Sequence, residues 1–170
     1  MLEYYLNEYE TQQQTQYVSA RDGEDIAFTL NYIGESYKKL NQHEKSLEYH
    51  LKAYQMRKRL FGEVRDHVDV AESLYAIGFS YYKLMQHNKS LEYYLKAYEM
   101  RKRLFSEDGG DREDIALTLN NIGVSYLKLN KHETALEYHS KSYEMRNRVF
   151  GEDKDHKDVA QSLNNLGVSY

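Results

Sequence analysis

Apolar residues recur along this chain every three to four positions, in two alternating kinds of segment. In the first kind, the recurring positions are filled by Ile26, Leu30, Ile33, Tyr37 and Leu40. Steps of four and three residues place these side chains on one face of an α-helix. The same stripe returns later in the chain, twice in full and once in part, which predicts four helices of this kind.

The second kind of segment carries a narrower apolar face, as at Leu47, Leu51 and Tyr54. Residues 87–105 repeat residues 43–61 almost letter for letter, and a looser copy follows them. Together the two patterns predict an opening helix, three pairs of helices and a final helix. The predicted ranges are 2–16, then 24–40 with 44–60, 68–84 with 88–104 and 113–129 with 133–149, and a last helix from 157.

The spacing of these copies indicates a repeat architecture. Leu47, Leu91 and Leu136 are equivalent and lie 44 and 45 residues apart, and self-similarity at such a period is the signature of a solenoid. We therefore predict an all-α fold, a right-handed α-solenoid of antiparallel helix pairs. The predicted units are an opening half-repeat helix and linker (1–20), repeats at 21–65, 66–109 and 110–154, and a final half-repeat helix (155–170).

Charged residues mark the predicted helix ends. Two aspartates three residues apart stand at each start of the first kind, the first expected to cap free N–H groups and the second to favour the positive helix end. These pairs are Asp22/Asp25, Asp66/Asp69, Asp111/Asp114 and Asp155/Asp158. Each helix of the second kind ends in a cationic cluster beginning at Arg57, Arg101 or Arg146, which suits the negative helix end. Gly62 and Gly151 follow two of these clusters and are expected to stop the helix.

The repeated letters resemble a known family. Segments of the first kind contain L-x-x-I-G-x-x-Y, and segments of the second kind contain a small residue followed by A-Y, which resembles the tetratricopeptide repeat. The long period, with D-V-A-x-x-L-N-N-L before the glycine and A-Y-E-M-R after it, is similar to the repeats of kinesin light chains. The resemblance implies a superhelix with a concave groove. It also implies that Gly34, Gly78 and Gly123 lie at close helix crossings, small residue against small residue.

Composition narrows the classes of function. The chain has no cysteine, which excludes a disulfide framework, a thiolate metal site and a cysteine nucleophile. Its net charge of −4 argues against non-specific binding to nucleic acid. It contains no run of about 18 apolar residues of the kind that spans a membrane. We expect a cytoplasmic chain with no cofactor, no nucleic-acid partner and no membrane contact.

Histidines and acidic loops are the candidates for catalysis or metal binding. The histidines occupy positions that recur between copies, such as His43, His87 and His132. An active site is normally one constellation rather than a pattern copied along an array. The acidic loops lack the ligand spacing of a calcium-binding EF-hand. We therefore expect no enzyme activity and no metal site.

The resemblance implies that one face of each helix of the first kind forms the wall of the groove, and that residues on this face vary between copies. Phe28, Tyr32, Glu35 and Glu72 belong to this wall. In kinesin-light-chain-like repeats, asparagines at such places hold the backbone of an extended peptide; the alternative is that they only bridge neighbouring helices. Aromatic and aliphatic residues are expected to give specificity, and a row of lysines to favour an acidic ligand. The candidate contacts are Asn31, Lys39, Tyr75, Phe79, Tyr82, Lys83, Asn120, Asn121, Leu127, Lys128, Asn164 and Asn165.

Two functions of different kinds follow from this pattern. The first is a non-catalytic scaffold that binds a protein or an extended acidic peptide in its groove. The second is a structural spacer or self-assembling segment of a longer array, with no ligand of its own. End-to-end association is expected if the opening helix leaves its stripe of Leu2, Tyr5, Leu6 and Tyr9 uncovered.

Overall fold

The computed structural model describes residues 1–13, 20–62, 66–106, 112–150 and 157–169, and within them the regular structure is entirely helical. The predicted all-α class is confirmed, and each helix overlaps its predicted range. Residues 14–16, which the pattern added to the opening helix, lie outside the described residues. The helices are α1 (Leu2–Gln13), α2 (Ala20–Lys39), α3 (His43–Phe61), α4 (Val68–Lys83), α5 (His87–Leu104), α6 (Glu113–Lys128), α7 (His132–Phe150) and α8 (Lys157–Ser169).

The helix starts differ from the aspartate-cap prediction. Helix α2 already begins at Ala20, so Asp22 lies inside the helix rather than before it. Helix α4 follows His67, whose ring Nδ1 accepts the backbone N–H of Asp69 at 3.2 Å. The N-cap residue of α4 is therefore His67 rather than Asp66, and its imidazole supplies a capping acceptor.

The second aspartate agrees with the prediction at Asp69 and Asp114, which lie in the first turns of α4 and α6, but not at Asp25, which lies further inside α2. Asp114 lies in the first turn of α6, close to the positive end of the helix. Its Oδ1 accepts the N–H of Ile115 at 3.0 Å, whereas the N-cap residue Arg112 makes no capping bond with its side chain. Asp111 and Asp155, the first members of the last two pairs, lie outside the described residues.

One residue in the left-handed region turns the chain after each of α2, α4 and α6. Asn41, Met85 and Asn130 have φ angles of 56°, 60° and 57°. Asparagine visits this region readily because its short side chain hydrogen-bonds locally, whereas methionine does so at a conformational cost. Gly62, with φ of 85°, ends α3 as predicted. Gly151 lies outside the described residues.

The chain forms two compact units, Met1–Gln86 and His87–Tyr170. In the first unit α2 packs along α3, while α1 packs on α2 and α4 packs on α3. Ile26, Leu30 and Ala53 form a buried cluster between α2 and α3. This packing holds α2 in place while leaving one of its faces open for the site described below.

Two aromatic contacts partly cover the apolar face of helix α1. The Tyr5 ring lies 5.0 Å from Tyr32 of α2, and the Tyr9 ring meets Tyr49 of α3 edge-on at 6.5 Å. Tyr4, in contrast, is 65% exposed. Ring-to-ring contacts with the first helix pair therefore cover part of the predicted opening stripe, whose four residues are all half-buried. End-to-end association stays a prediction.

The second unit repeats the same packing. Helix α6 packs along α7, α5 packs on α6, and α8 packs on α7 with a smaller contact on α6. Ile115, Leu119 and Ile122 of α6 are at most 2% exposed. The apolar stripe read from the sequence is thus the buried face of this helix.

The mid-helix glycines in α2 and α6 make room for an imidazole. A β-carbon at Gly34 would lie 2.6 Å from Nε2 of His50 on α3, and closer still to its Cδ2. A β-carbon at Gly123 would meet His139 of α7 in the same way. Both rings are fully buried. The glycines therefore do lie at helix crossings, but the expected contact of small residue against small residue is wrong.

One arginine from each of α3, α5 and α7 is buried and reaches the following helix. Nη1 of Arg57 donates to the backbone oxygen of Asp69 at 2.9 Å and to Oγ of Ser73 at 2.7 Å. Arg101 and Arg146 bond the equivalent hydroxyls in the second unit, each at 2.6 Å. These three guanidinium groups, which we call the linking arginines, hold successive helices together. Attraction to the negative helix end does not by itself explain why these arginines are buried.

Candidate functional site

An open cavity of about 400 Å³ lies between α2 and α4 in the first unit. Two aromatic side chains of α2 contribute to its wall, Phe28 at 52% exposed and Tyr32 at 38%. Asn31 and Lys39, two of the candidate contacts, line the same cavity. The face of α2 that the resemblance assigned to the groove is therefore open and partly apolar. We call this space the α2–α4 cavity.

A second cavity of about 320 Å³ adjoins the first. The two share Phe28, Arg57 and Asp69 as lining residues. Apolar contacts come from Leu60 and Phe61 at the end of α3. The two cavities therefore meet at these shared residues.

Acidic side chains outnumber basic ones around both cavities. Lys39 and Arg57 are the cations that line them, and Arg57 is already hydrogen-bonded to α4. Burial lowers the pKa of Arg57, although Asp69 and Glu72 oppose the shift. The lining carboxylates are Glu24, Asp25, Glu35, Asp69 and Glu72. The local potential therefore favours a cation over an anion.

Glu35 is the carboxylate most strongly held by its surroundings. Partial burial raises its pKa, but the His50 ring at 3.5 Å and the ammonium of Lys38 lower it, and the net result is a pKa of about 2. The other ring nitrogen of His50 lies 3.3 Å from the Ser80 hydroxyl. Glu35 is thus a fixed negative charge in the cavity wall at neutral pH.

Asn31 differs from its equivalent in the second unit. It is 8% exposed, and its Oδ1 has no hydrogen-bond partner among the described residues. Asn120, at the same place in α6, accepts a hydrogen bond from Nδ2 of Asn165 on α8 at 2.7 Å. The place of Asn165, two residues before the glycine, is taken in α4 by Ala76. Asn31 therefore lacks the amide partner that Asn120 has, and a buried acceptor in this state is unusual.

Four rings form an unbroken row beside the α2–α4 cavity. Phe28 and Tyr32 lie 4.4 Å apart, Tyr32 and Tyr5 lie 5.0 Å apart, and Tyr5 and Tyr4 lie 5.3 Å apart. Partial desolvation raises the pKa of Tyr5, and the neighbouring phenols of Tyr32 and Tyr4 raise it further. We call these four residues the aromatic row. Its exposed members offer ring faces to a ligand.

The other candidates of the first unit do not line either cavity. The Phe79 ring lies under two ammonium groups, Lys38 at 5.2 Å and Lys83 at 5.4 Å. Tyr75 and Tyr82 are half-buried, and Lys83 is exposed. The expected aromatic pocket is thus partly occupied by the lysines of the same unit.

In the second unit the asparagines are divided between two environments. Asn120 is buried, and its side chain accepts the bond from Asn165, which is the bridging arrangement that the sequence left open as an alternative. Asn121 is half-buried and Asn164 is exposed. Leu127 is half-buried, and Lys128 is exposed at the end of α6. The groove contacts expected here remain predictions.

The histidines take structural places in the described part of the chain. Those at positions 50 and 139 fill the space left by glycines, as described above. Burial lowers the pKa of His139, with the backbone of Asn120 and Asn165 acting in the opposite direction. Across the described ranges, no three His, Cys, Asp or Glu side chains are grouped closely enough to hold a metal ion. No helix in the same ranges is both long enough and apolar enough to cross a membrane.

Comparison with known families agrees with this arrangement of helices. The sequence profile of the tetratricopeptide repeat matches residues 25–103, 69–148 and 114–170, which together cover most of the chain. The chain belongs to the tetratricopeptide repeat family. Successive matches of the tetratricopeptide repeat profile overlap, as expected for tandem copies. No curated protein sequence matches the chain at a significant level.

Solved structures share the tetratricopeptide repeat fold of this chain. BtubC (BKLC) from P. vanneervenii matches with a TM-score of 0.82 and 20% identity, over 98% of this chain and 62% of that protein. A kinesin-light-chain-type protein of Podosopora anserina with nearly identical TPR-like repeats matches with a TM-score of 0.78 and 12% identity, over 99% and 75%. The signal transduction ATPase of Pyrococcus horikoshii with a tetratricopeptide repeat sensor gives 0.73 and 18%, over 99% and 23%. This chain thus spans 62% of the length of the first of these proteins.

Sequence reasoning missed part of the site in this tetratricopeptide repeat chain. Phe28, Tyr32 and Glu72 belong to the predicted wall but not to the predicted contacts, which favour asparagines and lysines. Arg57 and Asp69 were assigned to helix ends. The sequence does contain a usable signal. Arg57 follows Ser46, His50 and Ala53 at steps of four, three and four residues, which places it on the buried face of α3.

Proposed function

We propose that this chain is a non-catalytic scaffold that binds a protein partner through an extended segment in the α2–α4 cavity. The main support is Asn31, whose buried Oδ1 lacks the partner that its equivalent has in the second unit. The χ2 angle of asparagine has a broad range of accessible values, so a small rotation presents its amide to a ligand in the cavity. An amide offers both a donor and an acceptor, as a peptide unit does.

The exposed rings beside Asn31 supply the apolar part of the interaction. Phe28 and Tyr32 leave large apolar surfaces in water, and an exposed apolar patch on a soluble chain commonly marks an interaction site. Covering them with a ligand side chain returns about 25 cal/mol for each Å² removed from water. Backbone recognition by Asn31 and ring contacts together suit a short extended segment.

A second candidate function applies to the second unit. There the bond between Asn120 and Asn165 uses the amides that a ligand would need. This favours a structural spacer role for α6 and α8, as part of a longer array. The two functions are compatible, because ligand binding in the first unit does not require the second to bind as well.

Selection of peptides from a random displayed library, followed by calorimetric titration, tests the proposal. The Asn31→Ala variant is expected to bind the selected peptides at least about fivefold more weakly, since a lost hydrogen bond to a desolvated peptide group costs about 1–3 kcal/mol. Asn88→Ala, at an exposed position of α5, is the matched control and is expected to bind normally. Equal binding by wild type and Asn31→Ala would place the site elsewhere. Failure to enrich any peptide would favour the spacer function instead.

A further inference from the structure

We propose that the segment bound in the α2–α4 cavity carries an arginine, whose guanidinium lies on Phe28 and Tyr32 and pairs with Glu72. This inference rests on the proposed function and specifies its ligand. It reverses the acidic preference that the row of lysines suggested from sequence. Three features of the first unit carry it.

The first feature is the charge of the lining. Five carboxylates and two cations line the two adjoining cavities. Glu35 and Asp69 already contact cationic or imidazole groups of the chain. Glu72 is exposed on α4 and acts electrostatically on Arg57, but it forms no salt bridge in the described part of the chain. A ligand cation therefore finds a carboxylate without a salt-bridge partner, whereas a ligand carboxylate meets several like charges.

The second feature is the adjoining ring surface. Phe28 and Tyr32 are both exposed, with their centroids 4.4 Å apart. A planar guanidinium stacks on aromatic faces and keeps its edge free for a carboxylate, which a compact ammonium does less well. Rings and carboxylate at one cavity thus suit arginine better than lysine.

The third feature is Asn31, which fixes the ligand backbone beside the rings. It is more than nine-tenths buried, lines the cavity and has an acceptor without a partner in the described residues. An acidic cluster by itself binds small cations without orientation. With one amide for the backbone and a ring–carboxylate pair for the side chain, the cavity selects a peptide with a defined register.

The lysines that suggested an acidic ligand are not placed to attract one here. Lys39 lines the cavity together with Glu35 and Glu72. Lys83 lies over the Phe79 ring and does not line the cavity. Among the side chains that line this cavity, three carboxylates outnumber the two cations, Lys39 and Arg57.

Four fluorescein-labelled peptide pools test the inference by fluorescence anisotropy. Each pool has random flanking residues and one fixed central residue: arginine, lysine, citrulline or glutamate. Citrulline keeps the planar shape of arginine without its charge. We expect the arginine pool to bind about fivefold more tightly than the citrulline pool, as one exposed cation–π contact and one exposed ion pair allow. We expect the glutamate pool to bind most weakly.

Two variants locate the effect. Glu72→Gln is expected to reduce the preference for arginine over citrulline to about twofold or less, while affinity for the citrulline pool stays unchanged. Glu99→Gln removes the same charge from an exposed position of α5 and is expected to keep the full preference. Circular dichroism of both variants verifies that they fold.

The outcomes separate this inference from the proposed function. Binding that depends on Asn31 but favours citrulline or glutamate equally overturns the arginine assignment and leaves the peptide scaffold in place. A preference for arginine that survives Glu72→Gln also overturns it. Absence of binding by every pool overturns the proposed function, and the inference with it.

Discussion

The bond between two asparagine side chains in the second unit leads to a quantitative prediction. Nδ2 of Asn165 donates to Oδ1 of Asn120 at 2.7 Å, and Asn120 is 3% exposed. A hydrogen bond of this kind contributes about 1 kcal/mol net, and a stranded buried partner adds to the loss. Asn120→Ala is therefore expected to lower the free energy of unfolding by about 1–2 kcal/mol, and Asn165→Ala by about 1 kcal/mol.

Combining the two substitutions isolates the bond. Since the second substitution removes a group whose partner is already gone, the double variant is expected to cost about 1 kcal/mol less than the two single variants added together. Urea unfolding followed by circular dichroism measures all four proteins. Strict additivity would show that the amides do not interact and would refute the bridging assignment.

Asn31 provides the internal control for this reasoning. Its Oδ1 makes no hydrogen bond within the described residues, so Asn31→Ala removes a buried acceptor rather than a bond. Its effect on stability is expected to lie within about 0.5 kcal/mol of zero or to be stabilising. A loss as large as that of Asn120→Ala would mean that Asn31 has a structural partner, and the argument for a ligand would fail.

The remaining predictions concern the packing and the acidic wall. Arg101→Met is expected to cost about 2–3 kcal/mol in urea unfolding, because it leaves buried acceptors unpaired, whereas the neighbouring Lys102→Met stays within about 0.5 kcal/mol. Gly34→Ala is expected to lower the free energy of unfolding by about 1–3 kcal/mol, because its β-carbon clashes with a buried imidazole. Gly167→Ala, with open space around its β-carbon, should raise it by up to about 1 kcal/mol. Equal effects at both glycines would contradict the close crossing of α2 and α3 at Gly34. Because the folded-state pKa of Glu35 is lowered to about 2, its contribution is present above an ordinary value of 4.5 and is lost as pH falls from there toward 2. Glu35→Gln should therefore reduce the change in the free energy of unfolding between those pH values. A pH dependence equal to that of the wild type would contradict this prediction.

The fold was predictable because its signals are repeated. The stripe at Ile26, Leu30 and Ile33 reappears in α4 and α6, so each of these helices is supported by several independent segments, and these positions are buried in all three helices as expected. Leu40, the last residue of the predicted stripe, is instead 54% exposed because α2 ends at Lys39. The C-terminal stop at Gly62 was also predicted correctly, because a residue with positive φ has a strong chemical preference.

Contacts between helices were less predictable than the helices themselves. The glycine pattern showed that something approaches α2 closely, but not that His50 does so, because the partner lies 16 residues away on another helix. The role of Arg57 was missed for a similar reason: its partners Asp69 and Ser73 are brought together only by the packing of α3 on α4. Periodicity specifies which face is buried, and not which side chain fills it.

The candidate site was only partly predictable because it depends on an amide partner for Asn31 that α4 does not provide. The sequence contains Asn31 and Asn120 at equivalent places, and nothing in the pattern distinguishes them. The difference arises on the following helix of the first kind, where α4 has Ala76 and α8 has Asn165. Repeat copying thus accounts for the framework, and the departures from exact copying create the site.

The most direct test of the central claim adds a partner for Asn31 instead of removing it. Ala76→Asn places an amide where the second unit has Asn165, so Asn31 should become bridged as Asn120 is. Calorimetric titration of a library-selected peptide is expected to show affinity reduced by about fivefold or more in Ala76→Asn, comparable to Asn31→Ala. The stabilities of wild type, the two single variants and the double variant should show a coupling of about 1 kcal/mol between the two positions. Unchanged affinity in a variant with that coupling would contradict the account, because Asn31 would then be bridged without any effect on the ligand.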